Sequence, residues 1–263
     1  MSTAPGLLGS NEPAPFEVVN ESGQGNLVLV CDHASNRIPK GLNQLGLTED
    51  HLASHIGWDI GAAEVARLLS ARLDAPLVLS AYSRLVIDCN RWPHDPQSIP
   101  EHSGGISIPG NSVLSKDAIL SRRQYLFDPY QAQINALLEK SATQPKFLLS
   151  IHSFTPSLFG ADRPWPIGVC YRRDVELGRN WIDALQARVK GKSHDELVGD
   201  NEPYEIEEDI DYTLVVQGEN RSIPSIMLEI RQDRVLDQAG VRQWSDIIAD
   251  AWLSMDSGYL VSG

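Results

Sequence analysis

Short apolar runs that stop abruptly in polar clusters recur along this chain. Leu27-Val28-Leu29-Val30-Cys31 ends in Asp32-His33-Ala34-Ser35-Asn36, and Phe147-Leu148-Leu149-Ser150-Ile151 ends in His152-Ser153. Runs of this length, apolar at successive positions, read as strands buried on both faces. Pro76–Ala81, Arg84–Cys89, Ile167–Tyr171 and Ile226–Ile230 predict further strands. Residues 59–73 place Ile60, Ala63, Val65, Ala66 and Leu69 at helical spacing, with Asp59 available to cap the start. Residues 115–140 predict a long helix or a helix pair, interrupted at Asp128-Pro129 because the residue before a proline avoids the helical region. Strands alternating with helices indicate an α/β fold with a mostly parallel sheet covered on both faces. Residues 1–25, rich in Pro, Gly, Ser and Asn, read as an extended lead-in, and residues 26–263 as one domain.

Composition narrows the function classes. The 263 residues carry 22 Lys and Arg against 35 Asp and Glu, a net charge of −13, so nucleic acid and anionic membrane surfaces are poor partners. Three cysteines far apart in sequence provide neither a disulfide framework nor a CxxC zinc site. No apolar run reaches the ~18 residues of a membrane helix, and the first 25 residues lack the Lys or Arg of a secretory leader. A cytoplasmic protein is the economical expectation, with assembly into a homo-oligomer left open. The stretch Asp195 to Asp211 holds nine acids and no Lys or Arg, and reads as a solvated acidic loop.

Ligands of open α/β sheets bind at the carboxyl ends of the strands. His33 and His152 both fall there, each behind an apolar run, as expected of metal or acid–base groups; loop histidines satisfied by backbone carbonyls are the plainer alternative. Asp59 is a candidate third ligand, with His55 as its substitute and an ordinary helix cap as the competing role. A His/His/carboxylate set leaves zinc a position open for water. Glu229 interrupts the apolar run Ser225-Ile226-Met227-Leu228-Glu229-Ile230, where a carboxylate is costly unless paired or protonated. It is either an ion pair with Arg231 or a general base raised by burial.

In Ser83–Arg91, strand alternation would put Arg84, Val86, Asp88 and Asn90 on one face. Arg84 and Asp88 read as a surface pair, Asn90 as an oxyanion donor and Arg91 as a fork for a substrate carboxylate. A glycine-rich stretch at 104–111 lacks GxGxxG and a Walker lysine, no GxSxG elbow is present, and Cys31 reads as a small core residue. His94, His102 and His194 fall in polar loops.

These segments together resemble the N-formylglutamate amidohydrolase family, in its predicted, less characterised branch. The matching pieces are Asp32-His33-Ala34-Ser35, His55–Ala62, Ser83–Arg91, Ile108–Asn111, Ile151-His152-Ser153, Gly199–Tyr204 and Leu228-Glu229-Ile230-Arg231, in the family's order from about residue 27 to 235. Asp88-Cys89-Asn90-Arg91 is also similar to the Asp-Leu-Asn-Arg signature of zinc carboxypeptidases. The resemblance implies a single-domain three-layer α/β/α sandwich of the phosphorylase/hydrolase type. It implies a hydrolase using zinc or another divalent metal on a small anionic N-acyl amino acid, such as N-formylglutamate. By position, His33, Asp59 and His152 become the metal set, Glu229 the base, and Asn90, Arg91 and Arg84 the substrate holders. A carboxypeptidase-like enzyme and a non-catalytic binding protein are the competing readings. Two positions depart from the pattern: Gln217-Gly218 replaces a family His-Gly, and Asn36 stands where the carboxypeptidases have a glutamate ligand.

Overall fold

The computed structural model describes residues 6–140, 146–189 and 197–259, with side chains to 255. Its centre is a seven-stranded sheet of β1 (Phe16–Val19), β2 (Leu27–Cys31), β3 (Leu77–Ser80), β4 (Phe147–Phe154), β5 (Ile167–Cys170), β6 (Gly199–Asp200) and β7 (Ser225–Arg231). The strands lie in the order β1-β3-β2-β4-β7-β5-β6. Pairing is parallel except where β1 meets β3 and where β5 meets β7. The mostly parallel sheet expected from the alternation of elements is therefore present, made mixed by the two antiparallel pairs.

Helices cover both faces: α1 (Glu49–Ala53), α2 (Ala62–Arg72), α3 (Lys116–Arg122), α4 (Asp128–Glu139), α5 (Val175–Val189) and α6 (Gln238–Tyr259). Alternation along the strands decides what each helix meets. Leu27, Leu29, Leu149, Ile151, Ile226 and Leu228 point to the face shared with α2, α5 and α6. Val28, Val30, Val78 and Leu148 point to the other, against Tyr130, Ile134 and Leu137 of α4. Each such side chain, fully buried, contributes about 1.5–3 kcal/mol of apolar transfer. In α2 the buried positions Ala62, Val65, Ala66 and Leu69 form one stripe, as its spacing predicts.

Three sequence expectations change. Phe16–Val19, inside the supposed lead-in, pairs antiparallel with β3 as the edge of the sheet. Four residues between Pro- and Gly-rich flanks are too short for a clear strand pattern. Arg84–Cys89 is not a strand: it runs as successive turns, with Val86 N–H donating to Ser83 O and Asp88 N–H to Ser98 O. Leu85, Val86 and Ile87 are apolar because they fill a second core cluster. Carbonyls that a neighbouring strand would have satisfied are met instead by Asn111 Nδ2 on Leu85 O (2.8 Å) and Arg122 Nη1 on Val86 O (3.0 Å). Residues 116–139 run through Asp128-Pro129 without a break, α3 and α4 being joined by a π-type segment at Arg123–Phe127.

Candidate metal centre and active site

The carboxyl ends of β2, β4 and β7 open into a cavity of about 500 Å³ lined by His33, His55, Asp59, Arg84, Asn90, Arg91, His152 and Glu229, among others. All seven sequence-predicted site residues line it. His33 leaves the end of β2; His152 lies on β4 and Glu229 on β7, in register across a parallel ladder. Asp59 comes from the loop before α2, pinned by its N–H to His33 O at 3.0 Å.

Asp59 does not cap α2. The cap position is Gly61, at φ +80°, and no side chain caps the helix. A Cβ at Gly61 would stand 2.5 Å from Val235 O, so both the backbone conformation and the close approach require glycine. The Asp59 carboxylate is thereby left for the centre of the site.

His33, Asp59 and His152 form a buried group whose ligand atoms lie within 4.8 Å of one another. Asp59 Oδ2 is 3.2 Å from His33 Nδ1 and 2.8 Å from His152 Nδ1. Each imidazole turns its other nitrogen to a further carboxylate, Nε2 of His33 to Asp88 (2.8 Å) and Nε2 of His152 to Asp32 (3.1 Å). Asp32 also accepts from Tyr130, Ser150 and Thr213 hydroxyls. Carboxylates behind the distal nitrogens fix the tautomer and orientation of metal-binding histidines. Two Nδ1 atoms and a carboxylate converging from three segments, with anchored backs, suit a divalent cation. His55 Nδ1 lies farther off, 3.7 Å from Asp59 Oδ1, and is outside the group.

The charges are tightly compensated. Burial alone would raise Asp59, but His33, Arg84 and His152 hold it well below the usual carboxylate range. Burial would lower His152, and the carboxylates of Asp32 and Asp59 instead raise it well above an ordinary imidazole. His33 is raised likewise, by Asp88 and Asp59 against burial. Glu229 is pushed up to about 7, chiefly by burial, with Asp59 adding to it and the imidazoles opposing. Its Oε2 is buried without a hydrogen-bond partner. Arg231, the alternative partner, bonds Asp233 at 2.8 Å.

The turns of 83–91 present the remaining residues. Arg84 gives Nη1 to Asp59 Oδ1 (3.3 Å) and Nη2 to His55 O (2.6 Å), and does not pair with Asp88. Asn90 is built into the wall: Oδ1 accepts from Thr213 N–H (2.9 Å) and Nδ2 donates to Asp211 (3.3 Å). Arg91 gives Nη1 to Asp211 at 2.6 Å. The expected solvated acidic loop is thus corrected in part, since Tyr204, Glu205, Glu207, Ile210 and Asp211 line the cavity. A wall residue and a solvated acid look alike in sequence; only the Arg91 partner separates them. Gln217 lies behind the site, donating to Gln131 Oε1 at 3.0 Å, and Gln131 in turn reaches Thr213. His94 and His102 are exposed and outside the cavity, whereas His194 is outside the described residues.

A model of the N-formylglutamate amidohydrolase family matches residues 25–236. Among solved structures, a gene product of Agrobacterium tumefaciens superposes with a TM-score of 0.85 at 32% identity, over 95% of this chain and 99% of that one. An N-formylglutamate amidohydrolase from Ralstonia eutropha JMP134 superposes with a TM-score of 0.65 at 16% identity, over 92% and 97%. At that identity the likeness is one of fold. The search of curated proteins gave no match.

Proposed function

The chain belongs to the N-formylglutamate amidohydrolase family, and from that premise we propose that it hydrolyses the amide of a small N-acyl amino acid at a metal held by His33, Asp59 and His152. Membership supports amide hydrolysis as the reaction class. The observation that carries the finer reading is Glu229: a buried carboxyl with an unpartnered oxygen, lining the same cavity as the three candidate ligands.

When bound, a divalent cation such as zinc supplies Lewis acidity, polarising a carbonyl and acidifying water. The protein's own groups do the rest. Asp88 and Asp32 keep the two Nδ1 lone pairs facing inward. Glu229 Oε2 takes a proton from the water that attacks the acyl carbon. As the new C–O bond forms and the C–N bond breaks, the same oxygen returns that proton to the leaving nitrogen, giving a carboxylic acid and a free amine. The α-carboxylate shared by all N-acyl amino acids is received on the side of Arg84 and Arg91. A binding protein that has lost turnover is less well supported, because Glu229 faces the cavity and not Arg231.

The test pairs elemental analysis with turnover of N-formyl amino acids by the wild type and by Glu229→Gln. Zinc retained with turnover lost supports the assignment; near-native turnover in the variant removes Glu229 as the base.

A further inference from the structure

One wall of the cavity is the segment from Pro203 to Asp211, which contains no Lys or Arg. Asp211 is 7% exposed, and its Oδ1 accepts from Arg91 Nη1 at 2.6 Å and from Asn90 Nδ2 at 3.3 Å. Its Oδ2 is taken by Glu207 N–H at 2.9 Å, so the carboxylate is fixed from both sides. Arg84, the other guanidinium lining the cavity, already faces Asp59. Each cation that meets a substrate here is therefore matched to a protein carboxylate before any substrate arrives.

At the rim the balance tips further. Glu205 and Glu207 line the cavity and are exposed, and among the described residues neither has an ion-pair partner. Their neighbour Glu208 differs, being paired with Arg172 at 2.6 Å. A ligand is independently indicated at this place by Glu229 Oε2, buried and unpartnered within the same cavity.

We propose that Asp211, with Glu205 and Glu207, sets the specificity of this cavity against a second carboxylate. The site takes N-acyl amino acids with one carboxylate and a neutral or basic side chain in preference to N-acylglutamate. The inference rests on the proposed reaction for its substrate class. One substrate carboxylate shares Arg91 and Arg84 with their present partners. A second would enter a partly desolvated space whose two lining guanidiniums are both committed, Arg163 standing behind the wall on the Tyr204 hydroxyl at 3.0 Å, and would face two acids at the rim; like-charge juxtaposition is how sites reject a competitor. A side chain ending in ammonium meets those same acids favourably.

The experiment compares N-formyl-L-glutamate, its neutral near-isostere N-formyl-L-glutamine, and N-formyl-L-lysine on the zinc-loaded full chain. The glutamine and lysine compounds are expected to exceed the glutamate compound in kcat/KM by about tenfold or more, through KM, as for a screened charge–charge term at a cavity mouth. Asp211→Asn, which keeps a carbonyl acceptor, and the exposed pair Glu205→Gln/Glu207→Gln should each narrow that gap. Equal or faster turnover of the glutamate compound by wild type, or a gap unmoved in both variants, overturns the inference. A second readout needs no chemistry: calorimetric binding of the three compounds to the zinc-loaded Glu229→Gln chain. The same order of affinities without any turnover in the wild type upholds the specificity and sinks the proposed reaction. Absence of binding by all three overturns the specificity as well.

Discussion

Glu229 stands in register with His152 across the parallel pair of β4 and β7. A carboxyl and an imidazole thus leave the same face of the sheet on strands about 4.8 Å apart. That spacing brings a buried acid beside a candidate ligand without any loop to position it, and the tests of the site follow from it.

Glu229→Gln should keep the fold and the metal while lowering kcat by about 10²–10⁴-fold, the range for a positioned acid–base group. Single-turnover kinetics beside metal analysis checks this. A loss of zinc equal to the loss of rate would make Glu229 a ligand instead.

The pH profile has a defined sign. The proposed base role needs Glu229 as the carboxylate, and burial raises it to about 7 in the metal-free chain. A nearby cation lowers it, so the acidic limb of kcat/KM should rise with pH, centred at or below about 7. In the metal-free chain the raised carboxyl gives stability that is present at low pH and lost as pH climbs from the ordinary glutamate range through about 7. Glu229→Gln should therefore gain on the wild type by roughly 2–3 kcal/mol between pH 5 and 8. Denaturation in chelator at both pH values measures that difference; a gap that shrinks with pH contradicts the burial of the acid.

Zinc affinity should climb with pH and binding should release protons. Asp32, Asp59 and Asp88 shift His152 and His33 toward the protonated form, against the effect of burial. Their Nδ1 atoms must be freed before they can ligate. Calorimetry in two buffers of different ionisation enthalpy counts the protons; none released would rule out the histidines as ligands. Asp88→Asn, which touches His33 only from behind, should weaken zinc by about 10–100-fold.

Gly61→Ala should destabilise the chain by about 2–4 kcal/mol, since a Cβ at φ +80° meets Val235 O at 2.5 Å. Thermal melts give the cost. Because Gly61 follows the Asp59 loop, zinc binding should weaken in the same variant, even under conditions where it is fully folded.

The strands that support the site were legible because strands buried on both faces write themselves as apolar runs; β2, β4 and β7 all do. Glu229 was legible for the opposite reason, as a charge where the pattern demands none. Asp59 was not decidable, since an acid ahead of an apolar helix reads identically as cap or ligand, and only Gly61 taking the cap position separates them. The turns of 84–89 read as a strand because burial makes a residue apolar whatever its backbone does. Asp211 was lost in a run of acids, its meaning residing in Arg91, 120 positions earlier.

Asp59 meets His33 across 26 residues of chain and His152 across 93. Such separations carry a kinetic consequence. No short fragment of this sequence holds two of the three side chains close together by local structure alone, so this ligand set is not assembled before the sheet forms. The proposed centre needs β2 and β4 paired first, and long-range pairing of that kind is among the slower events of folding. Zinc uptake during refolding should accordingly lag behind the return of helical signal and coincide with the recovery of native tryptophan fluorescence.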